Sequence, residues 1–323
     1  MLRGCATVSL LCFAAIWGTL ARLGLIALNT YDGKSIDPTI WAQGVGCLVM
    51  GWATHSKNKA YIDRIYTPAS TMITTGFCGS VTTYASWVFG VFQAFSNETH
   101  YNRHGLHNVM DALSQTGATM GISLAALWAG RALGDFLLLE RLPTPPSLHG
   151  ATTDCISILI GTAFWAGSAI LCGLYSPFRK VTFALVLAPP GAVIRWYLAR
   201  LNSRPHDTKF LGIKSWPWGT LLANISAILV LCAAFTAQYV GRETGPFSRG
   251  AWTTNGCAAL YGLQNGFTGC LSTISTFVVE LTTLRPLRIA CTYAITSWTL
   301  GVVISILLVG APWWSIGMQG GCT

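Results

Sequence analysis

Two stretches of the chain align without a gap: GFCGSVTTYASW from Gly76 to Trp87 and GFTGCLSTISTF from Gly266 to Phe277. Each sets two glycines ahead of a run of Ser and Thr and closes on an aromatic ring. A helix interrupted by such a run frees carbonyls that can hold a cation and hydroxyls that can donate to an anion. An unpaired amide or carbonyl is costly in hydrocarbon, so the break has to be buried in protein. The sequence has no Ser/His/Asp constellation, His-Glu-x-x-His motif, Walker loop or dinucleotide fingerprint, and it gives an enzyme reading no support. The chemistry on offer is ion coordination.

Long apolar helices have to carry these breaks. Of 323 residues, 52% are hydrophobic and only 10% are charged, too few to coat a soluble globule. At about 20 residues per spanning helix, the candidate spans are 6–28, 36–54, 68–95, 109–134, 155–175, 181–201, 216–240, 256–281 and 287–311. Nine spans predict an all-α integral membrane protein in contact with lipid. The net charge of +9 comes mainly from short loops between apolar runs, which argues against a nucleic-acid partner. The apolar run after Met1-Leu2-Arg3 is too long for a signal peptide and lacks a small-residue cleavage site, so it is read as the first span. The eleven cysteines contain no C-x-x-C pair and mostly lie inside apolar runs. They read as packing residues, with no disulfide framework or zinc site.

Loop charges set the orientation. Arg3, Lys57, Lys59, Arg64, Arg131, Arg141, Arg200, Arg204, Lys209, Lys214, Arg285 and Arg288 fall on the N-terminal side; Lys34, Arg103, Arg179, Lys180, Arg242 and Arg249 fall opposite. Twelve against six places the N-terminus in the cytoplasm and, with an odd number of spans, the C-terminus outside. The sequon Asn97-Glu98-Thr99 then lies outside, where glycosylation occurs. The second match, Asn224-Ile225-Ser226, lies within a span and is not modified.

The similarity between the two stretches extends outward. A Gly-x-x-x-Arg pair lies upstream of each, Gly18 with Arg22 and Gly191 with Arg195, and Gly121 and Gly130 downstream are spaced like Gly301 and Gly310. Only span 155–175 lacks a counterpart, and it follows the Pro-rich 142–147. The domains are therefore residues 1–148, a linker with one span at 149–177, and residues 178–323. Four spans are an even number, so the added span inverts the second half. The result is an inverted 4+1+4 repeat, whose working site is expected near the midplane between the halves.

These motifs resemble the CrcB/Fluc fluoride channels, whose third helix runs G-F-x-G-x-x-T-T-F-S-T-F, and the whole layout resembles the eukaryotic two-domain fluoride export proteins. The resemblance covers nearly the entire chain and includes both Gly-x-x-x-Arg pairs. It implies a glycine-broken third helix in each half and an antiparallel pairing of the halves within a single chain, so that a monomer acts as a pseudo-dimer. It also implies two pores around a structural sodium ion held by the carbonyls of Gly79, Thr82, Gly269 and Ser272. Oxygen-only ligation suits a hard cation, and no catalytic cofactor is implied.

Fluoride is strongly hydrated, so a dry pore must replace its water with donors: hydroxyls, amide N–H groups and positive ring edges. Asn224 matches the family's second-helix asparagine, and Gln43 stands at that position in the first half. The two family phenylalanines correspond to Tyr84 and Trp87 in the first half and to Ile274 and Phe277 in the second. Tyr293, Ser297 and Gly301 match the family's polar track on one helical face, whereas the first half has Leu113, Gly117 and Gly121 there, with Thr116 and Thr119 nearby. The reading is one working pore built from Asn224, Tyr84, Phe277, Tyr293 and Ser297, with Thr83, Ser275 and Thr276 adding hydroxyls. The other pore, with Gln43, Trp87 and Ile274, is degenerate. Arg22 and Arg195 are expected near opposite mouths, concentrating the anion.

The resemblance thus implies a passive fluoride export channel of the plasma membrane that confers fluoride resistance. Two features stand apart. Glu280 is an acid near the end of a span, and acids in such places mark proton relays, which keeps a fluoride/proton antiporter open beside the channel; a non-transporting scaffold is the remaining alternative. Glu98, His100, His104 and His107 form a loop cluster whose spacing matches no recognised zinc pattern and which reads as a solvated loop.

Overall fold

The computed structural model describes residues 2–32, 36–98, 101–103, 105–139, 148–203, 215–239, 254–317 and 322. Among them every regular element is a helix. The first half runs α1 (Leu2–Leu28), α2 (Ile40–Ala53), α3 (Ser56–Thr71), α4 (Gly79–Val81), α5 (Tyr84–Ser96) and α6 (Leu106–Phe136). After the connecting α7 (Ala151–Leu174), the second half runs α8 (Arg179–Leu198), α9 (Trp218–Tyr239), α10 (Thr254–Gly262), α11 (Thr268–Leu271), α12 (Ser275–Thr283), α13 (Leu287–Ser305) and α14 (Ala311–Ile316).

Among the described residues, five helices are long and apolar enough to cross a membrane: Leu2–Leu28, Ala151–Leu174, Ser176–Asn202, Trp218–Tyr239 and Leu287–Ser315. The other expected spans fall short for local reasons. α2 has 14 residues. α6 has 31 but carries Asn108, Asp111, Gln115, Arg131 and Asp135. The two broken helices are interrupted, so neither offers one continuous run.

Each interruption has the same construction. A π-helical stretch, Met72–Cys78 or Leu263–Phe267, widens the helix before the short α4 or α11. The chain then turns extended at Thr82 (φ −90°, ψ 146°) and Ser272 (φ −90°, ψ 159°) and re-enters helix as α5 and α12. The break therefore falls at hydroxyl residues and not at the glycines. Gly79 is itself helical, at φ −68° and ψ −20°. What the glycines supply is close approach: a Cβ on Gly191 would sit 2.2 Å from the Phe267 carbonyl, and one on Gly18 would sit 2.8 Å from the Phe77 carbonyl. By these contacts α1 and α8 lie directly on the broken helices.

The segments after the breaks exchange partners. α5 packs against α9 and α13 of the second half, and α12 packs against α2 and α6 of the first. One continuous core results, with Tyr84, Trp87, Val88, Ile228, Ile274, Phe277 and Tyr293 buried together. α7 lies along α1 and α8. Its first turn is tied down by Asp154, which accepts from Arg3 Nε at 2.9 Å and from the Tyr66 hydroxyl at 2.7 Å. Tyr66 can reach it because its backbone is extended (φ −161°, ψ 103°), and this kink separates the polar start of α3 from its apolar end.

The cysteine reading needs correction, because Cys257 and Cys322 form a disulfide. The two residues are 65 apart in sequence, so no short-range pattern marks them. The other nine cysteines are free, and six of these are buried.

Candidate ion pathway

Hydroxyls interlock the two breaks. Thr82 Oγ1 lies 3.1 Å from Thr273 Oγ1, and Thr83 Oγ1 lies 3.1 Å from Ser272 Oγ. The Ser275 N–H donates to Thr82 Oγ1 and the Ala85 N–H to Ser272 Oγ, both at 3.1 Å. Each post-break helix thus has a first-turn amide satisfied by a hydroxyl of the opposite half, the service an N-cap normally gives within one segment. The pairs 82/272 and 83/273 are related by the repeat, so the junction is pseudo-twofold.

The second helix of each half clamps the same junction. Asn224 Oδ1 accepts from the Thr273 N–H at 2.8 Å while its Nδ2 donates to the Thr273 carbonyl at 3.4 Å. Gln43 repeats this on Thr83, at 3.1 Å and 2.8 Å. As a clamp, then, Gln43 is no degenerate copy of Asn224; it makes the same two bonds with a longer arm.

The arginines are not at the mouths. Arg22 is 1% exposed and Arg195 is 4% exposed, and both guanidiniums lie at the junction. Arg22 donates to the Ser80 carbonyl of its own half at 2.6 Å and to the Asn265 carbonyl of the other. Arg195 donates to Cys270 of its own half and Thr75 of the other, each at 2.7 Å. Thr75 and Asn265 sit in the π-helical stretches, where the widened ladder shifts a carbonyl out of its usual bond. Ser80 and Cys270 lie in the last turn before the break, where carbonyls have no helical partner. Each arginine therefore bridges both broken helices, and Gly79 and Gly269 leave room for it: a Cβ on either would come within 2.3 Å of a guanidinium nitrogen. The sequence reading failed because position along a helix gives depth but not facing.

The carbonyls expected to hold sodium fall at this same junction. Thr82 and Ser272 are fully buried, and their carbonyls, beyond the helix ends, accept none of the described backbone or side-chain hydrogen bonds. They terminate helices whose C-terminal ends carry partial negative charge. Such hard oxygens fit an alkali cation.

Beside the junction runs a ladder of rings: Trp216, Tyr293, Phe277, Tyr84 and Trp87, with successive centroids 5.7, 5.2, 5.1 and 5.3 Å apart. Tyr84 meets both Phe277 and Trp87 edge-on. The expected Tyr84–Phe277 pairing is thus present, with Tyr293 beside it, and Ser297 is buried with its hydroxyl on the Tyr293 carbonyl at 2.7 Å. Three donors on the ladder, the Tyr84 hydroxyl and Nε1 of Trp87 and of Trp216, are buried with no hydrogen-bond partner. Buried polar groups are normally paired, so these three donors are left with hydrogen-bonding capacity to spare. Trp216, the first residue of the expected span 216–240, is absent from the sequence-based set. Trp87, expected in the other pore, instead meets Tyr84 at the end of this same ladder; Ile274 is buried in the same core, and Thr276 lies at its edge with its N–H 3.5 Å from Thr273 Oγ1.

In the first half the buried face of α6 falls on other residues than the spacing of Gly121 and Gly130 gives. Leu113, Gly117 and Gly121 are exposed, whereas the buried stripe of α6 carries Ala112, Thr119, Ser123 and Leu127. The Thr119 hydroxyl is buried and unpaired, and the buried Ser123 hydroxyl faces the Cys47 thiol. Ser123 went unnoticed because a shift of two residues on a helix rotates the face by about 200°.

Glu280 is half-buried. Its carboxylate accepts from Thr220 Oγ1, from Asn202 Nδ2 at 3.2 Å and from the Tyr293 hydroxyl at 3.0 Å, which puts it against the ladder. Of the loop cluster, His100 and His104 lie outside the described residues. The Asn97 side chain is engaged within its loop, its Nδ2 donating to the Tyr101 carbonyl at 2.9 Å and the Arg103 carbonyl at 3.4 Å, and glycosylation would leave it one N–H for the two.

A family model described as CrcB-like protein, Camphor Resistance (CrcB), matches residues 9–131 and again residues 182–311, leaving α7 between the two matches. Among curated relatives, Fluoride export protein 1 of Schizosaccharomyces pombe is 33% identical over 323 residues, covering 96% of this chain and 97% of the relative. Fluoride export protein 1 of Candida albicans is 31% identical over 326 residues, covering 94% and 79%. The Saccharomyces cerevisiae protein of the same name is 23% identical over 356 residues, covering 94% and 92%. No solved structure matches.

Proposed function

The chain belongs to the CrcB-like family, and from that premise we propose that it is a passive fluoride export channel of the plasma membrane. HF is a neutral weak acid that crosses lipid from acidic surroundings and releases fluoride at neutral cytoplasmic pH. An outward anion leak then protects the cell. A negative-inside potential drives it with about 2.3 kcal/mol per charge per 100 mV, so no ATP is required.

The observation that carries this reading is the Tyr84 hydroxyl, buried and without an acceptor between the rings of Phe277 and Trp87. A dehydrated fluoride is a strong acceptor, and ring edges beside the hydroxyl add a weak positive field that does not trap it. Ions enter between Trp216 and Tyr293, pass Phe277 and Tyr84, and leave past Trp87, with Thr83, Ser275 and Thr276 close to the path at the break. Asn224 holds the break in shape and retains an N–H for the ion. Arg22 and Arg195 lend a positive field from behind the backbone and do not touch the path.

The nine spans, the 4+1+4 order, the domain limits at residues 148 and 178, and the cytoplasmic N-terminus with an external C-terminus complete the proposal. One repeat match on each side of α7 supports the order. The Cys257–Cys322 disulfide supports the orientation, because disulfides persist outside the cytosol. One working pore is proposed along the second-half track, with the chain acting as a monomer. Sodium, held by Gly79, Thr82, Gly269 and Ser272, is assigned a structural role: it would neutralise the carbonyl ends where the two halves meet.

Glu280 favours a second reading, because a carboxylate bonded to Tyr293 is placed to exchange protons with the path. Fluoride efflux from liposomes separates the two. A channel runs only when valinomycin clamps the potential with potassium and ignores a pH gradient at zero voltage. An antiporter runs on the pH gradient alone. Absence of efflux in both conditions would overturn both readings.

A further inference from the structure

A groove of about 580 Å³ opens on the outer surface of the bundle where α1, α7 and α8 meet. Small residues make it. Gly161 of α7 lets the two backbones touch, since a Cβ there would lie 2.0 Å from the Ser9 carbonyl of α1, and the Ser9 hydroxyl donates to the Ile158 carbonyl at 2.9 Å. From that crossing the groove runs down α1 past Val8 and Cys5 to Gly4, and it spans Gly4 to Cys12. Eight residues of helix rise about 12 Å, close to one leaflet of a hydrocarbon core about 30 Å thick. The walls are apolar, and a polar cation stands only at the Gly4 end, where Arg200 follows the last turn of α8.

Arg200 is exposed, with its guanidinium over the rings of Trp196 and Tyr197 at 4.6 and 4.7 Å, and it makes no hydrogen bond or ion pair among the described residues. At the opposite end of α7 a smaller groove of about 300 Å³ also has an arginine, Arg179, but that side chain is fully engaged. It donates to the Cys172 and Gly173 carbonyls at 3.2 and 3.3 Å and to Asn255 Oδ1 at 2.7 Å. The two grooves thus differ in whether their cation is available.

We propose that the α1/α7/α8 groove is a binding site for one anionic phospholipid of the cytoplasmic leaflet, with the headgroup on Arg200 and one acyl chain against Gly4, Cys5, Val8 and Gly161. The depth fits a single leaflet, Trp196 and Tyr197 stand where interfacial rings stand, and the cytoplasmic leaflet is the one that carries anionic lipid. The leaflet assignment rests on the orientation proposed above; the charge and the shape do not.

The test is native mass spectrometry of the full chain in detergent with phosphatidylserine or phosphatidylcholine added at equal concentration, paired with efflux assays on the same preparations. The wild type should retain phosphatidylserine about fivefold better, the equivalent of about 1 kcal/mol per basic residue at a membrane surface. Arg200→Gln should abolish that preference yet conduct fluoride normally in phosphatidylcholine vesicles, and Val8→Trp should reduce retention of both lipids. Equal retention of the two lipids by the wild type, or a preference that survives Arg200→Gln, would overturn the site. Lipid preference without fluoride efflux would sink the channel reading and leave the lipid site standing; efflux without preference would do the reverse.

Discussion

Replacing Tyr84 by Phe removes one oxygen from the ring ladder and leaves the ring in place, and the structure fixes the sign of two separate effects. The hydroxyl is fully buried with no partner. An unsatisfied buried polar group costs about 1–3 kcal/mol, so Tyr84→Phe should make the resting protein more stable by roughly that amount. If the hydroxyl donates to fluoride in transit, the substitution also removes a hydrogen bond to a charged acceptor, worth about 1.5–3 kcal/mol. Taken from the barrier, this slows efflux roughly 10- to 100-fold. Thermal unfolding in detergent reads the first effect, and valinomycin-clamped efflux from liposomes reads the second. A variant that is more stable and slower is the expected result. Unchanged efflux would remove Tyr84 from the path. Lower stability would mean that the hydroxyl has a protein partner and that the argument from an unpaired donor fails.

Phe277→Ile should abolish efflux while Trp87→Ile remains mild, because Phe277 stands between Tyr84 and Tyr293 and Trp87 ends the ladder; equal damage would refute the placing of Trp87 at the end of the path. Asn224→Ala and Gln43→Ala each strand a buried threonine N–H, so each should lower stability by about 1–3 kcal/mol in chemical denaturation, with Asn224→Ala showing the larger loss of efflux. Gly79→Ala drives a methyl into Arg195 and should cost about 2 kcal/mol, but much less in an Arg195→Met background, so a double-mutant cycle on unfolding should show strong coupling between the two sites. A membrane-impermeant reductant applied outside intact cells should cleave Cys257–Cys322, read by alkylation and peptide mapping; protection until lysis would refute an external C-terminus.

Which parts of this were legible in the sequence follows from what each part depends on. The breaks were legible because hydroxyl runs that interrupt a long apolar helix leave a compositional mark, and the two copies at Gly76 and Gly266 gave the repeat. The Tyr84–Phe277 contact was legible through family resemblance. The arginines were misplaced because Arg22 and Arg195 point across the interface into the other half, and no local pattern encodes that direction. The Cys257–Cys322 pairing depends on where the chain end returns, which spacing cannot give. Ser123 was missed, and Thr119 was named only as a neighbour, because the glycine spacing of the last helices sets the register at Leu113, Gly117 and Gly121, two residues away from the face that α6 buries.

The same contacts explain how one chain can keep its two halves alike in some respects and let them diverge in others. Everything that holds the breaks together is duplicated: the hydroxyl pairs 82/273 and 83/272, the amide clamps of Gln43 and Asn224, and the crossed arginines. Each member of these pairs satisfies a buried backbone group of one half or both, so losing it strands a polar atom whatever pore that half serves. The rings and the polar track answer to no such requirement, because Ile274 can replace a ring by packing alone. In a dimer of identical subunits any such change would strike both pores together. In a single chain one pore can accumulate these changes while the other retains Tyr84, Phe277 and Tyr293. On the proposed single-pore reading, stability constrains the shared junction symmetrically, and conduction constrains only one side of it.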